Sequence, residues 1–217
     1  SGLGALASAA AARGAEVIGV DLAEGMLEAA RRRHPEIEFV RADVEALPFA
    51  DGAFDAVVAA FVVNHLPEPE RGAAEMARVV RPGGRLAIAM WGPPEDVAIN
   101  GLPAAAAAAA GLDGPGAIPP GPSSTRFTDP AELAGLLEGL SEVTVSDHDF
   151  TLRVESLDEL WDGLLGGTVR TAARLAAATP DERERVRDEL GRLAERHRGP
   201  AGYDLPTRIR VAAGRRA

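Results

Sequence analysis

The chain contains no cysteine, and every one of its 23 basic residues is arginine. The first absence removes disulfides, thiol nucleophiles and thiolate metal sites. The second reads as a coding bias with little bearing on function. Metal ligation would fall to carboxylates and four histidines, but His34, His65, His148 and His197 show no ligand spacing, so no metal is expected. There is no apolar run long enough, and free enough of charge, to span a membrane, and the alanine-rich start has neither a basic leader nor an apolar signal core. A cytoplasmic chain with no membrane partner is expected. The balance is acidic, at net −10, which argues against a general affinity for nucleic-acid phosphates. The arginine runs near residues 31–33 and 208–216 are short enough to be solvated surface. What remains is a chain of 217 residues, 46% hydrophobic and 26% charged, able to bury a core and best matched to a small-molecule partner.

Short β-branched runs alternate with helical patterns from Gly14 onward, the signature of a parallel sheet with crossover helices. Residues 5–12 read as an alanine helix closed by Arg13-Gly14, and residues 16–20 as a strand ending at Asp21. A helix follows over 25–33, then strands over 37–41 and 54–60 and a helix from about 69 to 80. Residues 81–84, Arg-Pro-Gly-Gly, read as a tight turn before a strand over 85–91. From residue 92 to 125 proline and glycine surround an alanine run that Pro103 and Gly111 bracket as a short helix, in a region read as a linker or lid. Helix-start signals recur at Asp129-Pro130, Ser156 and Thr179-Pro180, the first predicting a helix to about Leu140. Residues 142–154 read as one strand or a bent pair, and 207–212 as the last strand. We expect one α/β domain over 1–217: a cofactor-binding half over 1–91 and a substrate-side half over 92–217, with a helical insertion near 156–200. Oligomeric state is not legible.

Gly2 and Gly4 precede a helix, where glycine lets a ligand approach the backbone and the helix start offers unpaired N–H groups. By themselves they are more often a flexible terminus. Asp21, at the end of the next strand, is placed to accept hydrogen bonds from two ribose hydroxyls, although an aspartate there also serves as a turn former. This arrangement suits nicotinamide dinucleotides and S-adenosylmethionine alike. Later segments separate the two. The stretch 41–55, RADVEALPFADGAFD, resembles the D-x-E-x-L-P-F-x-D-x-x-F-D segment of class I S-adenosylmethionine-dependent methyltransferases. So does the run from Phe61 to Trp91, with Asn64-His65-Leu66-Pro67 and Arg81-Pro82-Gly83-Gly84, and so do Val20-Asp21-Leu22 and Gly25-Met26-Leu27. The likeness is to the small-molecule enzymes that include those of ubiquinone and menaquinone biosynthesis. It covers residues 1 to about 91 closely and the rest in outline.

The resemblance implies a Rossmann-like α/β sheet, mostly parallel with an antiparallel last strand, and S-adenosyl-L-methionine as cofactor. It implies that Gly2 and Gly4 lie against the methionine part, that Asp21 binds the ribose, and that Leu22 and Met26 border the adenine. Asp43 would accept from the adenine amino group and Val44 offer a backbone donor, while Ala60 and Phe61 line the floor near the sulfonium. Met26 and Phe61 equally suit core packing, and Asp43 a cap. His65 is the candidate general base, against a packing or capping role. In the resemblance the inserted helices cover the acceptor pocket, bringing Trp161 and Leu160, Leu164 and Leu165 toward substrate, although core packing accounts for most of them. Asn-Pro-Pro-Tyr, typical of methyltransferases acting on nucleic-acid bases or glutamine, is absent, leaving a small-molecule methyl acceptor. Family members also carry a central strand and an acid-x-Gly loop ahead of the point matching Ser1. The chain as given is therefore expected to be less stable and to bind cofactor weakly or not at all. Two alternatives stay open: an NAD(P)-dependent oxidoreductase and a degenerate, non-catalytic methyltransferase homologue.

Overall fold

The computed structural model describes residues 1–112, 123, 125–167 and 169–217. Part of the expected linker or lid, residues 113–122 and 124, lies outside the described residues. Helix α1 (Ala5–Ala11) is the alanine run, the residue type with the highest helix propensity, and Gly14 follows it at φ 86°. Strand β1 (Ile18–Asp21), helix α2 (Glu24–Arg33) and strand β2 (Glu38–Arg41) form a parallel crossover unit, with Ile18 opposite Glu38 and Asp21 opposite Arg41. Its interior is Leu27 and Ala30 of α2 against Ile37, Phe39 and Ala7. Arg31 closes the unit by donating to the Glu24 carboxylate at 2.8 Å and the Phe39 carbonyl at 2.9 Å.

Strand β3 (Phe54–Ala60), helix α3 (Pro69–Val79) and strand β4 (Val80–Trp91) repeat this connection. The expected turn at 81–84 is present in conformation, with Gly83 at φ 78°, but lies within β4 as a bulge. Phe54 pairs with Val80 and Ala56 already with Arg85, so the intervening residues loop out beside Asp55. Only glycine fits at 84, where a Cβ would stand 2.5 Å from the Asp55 carbonyl oxygen.

Helix α4 (Ala98–Ala109) begins earlier than the sequence indicated and takes Pro103 inside, so the Ile99 carbonyl receives no N–H from residue 103. Helix α5 (Pro130–Gly135) stops short of Leu140. Its continuation tightens into i→i−3 bonds, Leu136 to Leu133 and Glu138 to Gly135, before Gly139 at φ 85° ends it. Strand β5 (Ser141–Val154) is a single strand. Helices α6 (Leu157–Gly167), α7 (Val169–Ala177) and α8 (Pro180–Ala194) follow, and Thr179 with Glu182 makes a reciprocal capping box. Strand β6 (Arg198–Gly199) pairs antiparallel with β7 (Gly202–Arg215), which extends well beyond the predicted 207–212.

The strands form two sheets, β1-β2 and β3-β4-β7-β5 with β6 on β7. Gly83 N–H bonds the Arg216 carbonyl and Gly92 N–H the Arg208 carbonyl, so β7 runs antiparallel to β4. Asp147 meets Arg210, Asp149 meets Arg208 and Arg153 meets Asp204, which makes β5 antiparallel to β7. Among the described residues no strand pairs with the second edge of β1 or of β3, and Val58 of β3 is 54% exposed.

The chain divides into two compact units. The first comprises Ser1–Ala89, Pro130–Val145 and Val211–Ala217; the second comprises Met90–Asp129 and Ser146–Arg210. The second has its own core, in which Leu102, Leu160, Leu175, Leu190, Tyr203 and Leu205 are buried. Leu160 and Leu164 belong to this core, Trp161 packs partly buried against it, and Leu165 is exposed. No described helix is long and apolar enough to cross a membrane. Leu27 carries much of the packing between α2 and β2, being fully buried. Leu27→Ala is expected to cost about 2–5 kcal/mol in urea unfolding, the range for a large-to-small change in a core that relaxes incompletely.

Candidate functional site

Asp21 ends β1, and its carboxylate is shared by two segments. Oδ2 accepts from the Gly2 N–H at 2.8 Å and from the Ser1 ammonium at 3.1 Å, and Oδ1 accepts from the Ala23 N–H at 3.0 Å. Burial pushes the Asp21 pKa up, but bonds from the Ala23 and Gly2 amides and the N-terminal ammonium outweigh it and hold the carboxyl below its ordinary value. The acid is therefore ionised at neutral pH and ties the glycine loop to the end of the strand. The Ser1 ammonium also donates to the Val20 carbonyl, on the edge of β1 away from β2.

The two loop glycines differ in what requires them. Both have positive φ, 54° at Gly2 and 86° at Gly4. A Cβ on Gly2 would meet nothing within 4 Å, so the backbone there is open to a ligand. On Gly4 it would stand 2.7 Å from the His34 ring and 3.0 Å from Phe39, so packing as well as conformation calls for glycine. Leu22 and Met26, after Asp21, are 60% and 46% exposed. Met26 is therefore not a core residue, and the pair offers apolar surface beside the acid.

Strand β2 ends alongside β1, where Ala42 N–H bonds the Asp21 carbonyl at 3.1 Å, and Asp43 and Val44 follow. Asp43 Oδ1 accepts from the Glu45 N–H at 2.9 Å, which is its capping role, and Oδ2 has no hydrogen-bond partner among the described residues. Val44 is half-buried. The loop after it is fastened to α3. Glu45 Oε1 accepts from the Glu68 N–H, and Glu75 Oε2 accepts from the Leu47 N–H at 2.9 Å. Arg78 donates to the Leu47 and Phe49 carbonyls, to Asp51 and to Glu75. Glu75 is held below its ordinary pKa, first by the Arg78 hydrogen bond, and Arg78 is raised by Glu75 and then Asp51. Sequence reasoning had assigned no role to Glu75 and Arg78; their i,i+3 spacing on a helix was the available signal.

Ala60 closes β3 opposite Ala89, and Phe61 follows with φ 57°, a left-handed conformation uncommon for a bulky residue, while its N–H bonds the Ala89 carbonyl at 2.8 Å. A short 3-10 turn (Val63–His65) carries Asn64 and His65. His65 is exposed, and the Asn64 carboxamide oxygen is buried without a hydrogen-bond partner. The sequence-derived candidates thus sit at the carboxyl ends of three parallel strands, where ligands bind in open α/β sheets. Gly2, Asp21, Leu22, Met26, Asp43 and Val44 belong to β1, β2 and the segments flanking them. Ala60, Phe61 and His65 belong to β3 and the turn after it, in the other sheet. His148 pairs locally with Ser146, and His197 with Arg196. No group of three metal-capable side chains occurs among the described residues.

The lowered carboxyls set an acid dependence. Each contributes stability above its unfolded pKa and loses it as pH falls through the lower folded value, so the melting temperature is expected to drop below about pH 4. The drop should be shallower in Asp21→Asn. Arg78→Ala is expected to accelerate amide hydrogen exchange across residues 47–51 while leaving far-ultraviolet circular dichroism unchanged.

Comparison with known proteins bears first on residues 1–88, which match the family model described as "Methyltransferase domain". A demethylmenaquinone methyltransferase of Renibacterium salmoninarum is 42% identical over 94 residues, 43% of this chain and 40% of that one. The Thermus thermophilus protein of the same name is 48% identical over 87 residues, 38% of this chain and 40% of the relative. The chain thus matches about 40% of the length of these curated relatives. Among solved structures, a putative methyltransferase from an antibiotic biosynthesis pathway of Anabaena variabilis aligns with 97% of this chain and 86% of its own, at TM-score 0.61 and 18% identity. Haemonchus contortus phosphoethanolamine N-methyltransferase 2, solved in complex with S-adenosyl-L-methionine, aligns with 100% of this chain and 47% of its own, at TM-score 0.55 and 18% identity. The fold is that of the α/β methyltransferases, with the parallel β3-β4 pair and antiparallel later strands.

Proposed function

Starting from residues 1–88 as a class I methyltransferase domain, we propose that the protein transfers a methyl group from S-adenosyl-L-methionine to an O, N or C atom of a small-molecule acceptor in the cytoplasm. The observation that carries this reading is the Asp21 carboxylate, ionised and fixed by the Gly2 and Ala23 amides at the end of β1. A carboxylate has about four lone-pair sites, and Asp21 retains capacity for a ribose hydroxyl. The flanking groups fit the rest of the cofactor. Gly2 leaves open backbone, Leu22 and Met26 present exposed apolar faces, and Asp43 Oδ2 is unpartnered and suited to an amino donor.

When bound, S-adenosyl-L-methionine would supply a methyl group already activated on a sulfonium. Asp21 and Asp43 orient ribose and adenine, Val44 offers its backbone N–H to the ring, and Gly2 with Gly4 borders the amino-acid portion. Ala60 and Phe61 form the floor on the sulfonium side, where the strained Phe61 backbone sets the direction of the chain leaving β3. His65 takes the proton from a hydroxyl or amine acceptor. With a donor already activated, alignment supplies much of the rate and His65 the smaller part. The names of the relatives make a reduced demethylmenaquinone the first acceptor to assay.

Isothermal titration tests the reading. S-adenosylhomocysteine is expected to bind in preference to NADH, and Asp21→Ala to weaken it at least tenfold, equivalent to about 1.4 kcal/mol. Preference for NADH would move the reading to the oxidoreductase class. Binding neither ligand would favour the non-catalytic homologue. His65→Gln is expected to lower kcat by about tenfold to a hundredfold for a hydroxyl acceptor, toward the low end of general-base contributions, with S-adenosylhomocysteine affinity unchanged.

A further inference from the structure

We infer that the Asn64 carboxamide binds ligand directly: its Oδ1 accepts a hydrogen bond from an N–H or O–H group of a small molecule seated at the carboxyl end of β3. This rests on the methyltransferase reading and assigns to that site a group the reading did not use. Asn64 Oδ1 is screened from solvent and has no hydrogen-bond partner among the described residues. Native folds rarely leave a buried amide oxygen unpaired, because it has lost water and gained nothing in exchange. The backbone on either side is fixed, so rotation of the carboxamide about its own side-chain torsions is what presents the oxygen to a ligand. Val63 is fully buried, the His65 N–H is bonded to the Val62 carbonyl at 2.8 Å, and the Phe61 N–H is bonded to β4.

A second observation meets the first at the same place. Phe61 holds φ 57° three residues earlier, at the end of a parallel strand. Strain of this kind persists where surrounding structure enforces it and gathers at ligand sites. Asn64 Oδ1 is an acceptor only, so the ligand group must be a donor: an ammonium, amine or hydroxyl, and not an ether or a carboxylate. Two sources supply that chemistry. One is the α-ammonium of the cofactor's amino-acid portion; the other is a hydroxyl or amine of the methyl acceptor.

The test uses Asn64→Leu, close in volume, with Asn64→Ala as a second variant, and reads binding by calorimetry. The ligands are S-adenosylhomocysteine and 5′-methylthioadenosine, which lacks the amino-acid portion. In the presence of S-adenosylhomocysteine they are 1,4-naphthohydroquinone, kept anaerobic, and 1,4-dimethoxynaphthalene, which has no donor. Both variants are expected to melt at or above the wild-type temperature. An ammonium source predicts at least a tenfold loss for S-adenosylhomocysteine with 5′-methylthioadenosine unchanged. An acceptor source predicts that loss for the hydroquinone, with the dimethoxy compound and S-adenosylhomocysteine unchanged. Unaltered binding of both donor-bearing probes overturns the inference, as does a lowered melting temperature with equal losses for all probes, which marks a structural residue. Those results leave the methyltransferase reading standing, whereas a wild-type protein that does not bind S-adenosylhomocysteine defeats both.

Discussion

The carboxylate of Asp21 joins the end of β1 to the segment before α1 and to the turn before α2, and the first crossover unit takes its shape from that junction. Asp21 anchors the Gly2 amide there, beside the packing of Gly4 on His34 and Phe39 and of Ala7 in the core. The junction also creates charge where charge is useful. The amides that fix the carboxylate keep it ionised despite partial burial. The atoms that hold the junction are the same ones that the proposed cofactor reading uses.

The second fixed point is α3. Its Glu75 and Arg78 bind the backbone of Leu47 and Phe49 directly, and its Arg71 with the N-cap residue Glu68 meets Glu45 nearer the β2 end. A loop whose carbonyls and amides are satisfied by side chains of a packed helix stays in place without regular structure of its own. Asp43 precedes this clamped segment, and its Asx turn with Glu45 sets the direction in which the unpartnered oxygen is offered. The stretch that most resembled a family motif is thus also the stretch most heavily tied to a helix. Its pattern is explained as much by fastening as by ligand contact.

The glycine loop and Asp21 of the candidate site were readable from local grammar, whereas Asp43 entered through the resemblance. A glycine loop, an acid at a strand end and a second acid after the next strand are each short-range features, and parallel crossover geometry brings their ends to one side. What was not legible depended on partners distant in the chain. Gly4 packs on His34 and Phe39, a contact no local pattern announces. Arg78 reaches Leu47, and Arg216 bonds the carbonyls of Arg78 and Val80. The Arg81–Gly84 segment, read as a turn, became a bulge because β4 begins pairing with β3 at Val80.

From the residues alone came the α/β class, the order of its elements, the acidic and cysteine-free composition, and Asp21 as a candidate acid at a strand end; the resemblance added Asp43 as a second candidate. Periodicity, capping and turn preferences act over a few residues and can be read in order. The tertiary structure decided the rest: two sheets rather than one ladder, β5 and β7 as single long strands, Met26 exposed rather than cored, and the Asn64 oxygen buried without a partner among the described residues. Register, burial and hydrogen-bond satisfaction are set by which residues meet across long sequence separations, and only a folded chain brings them together.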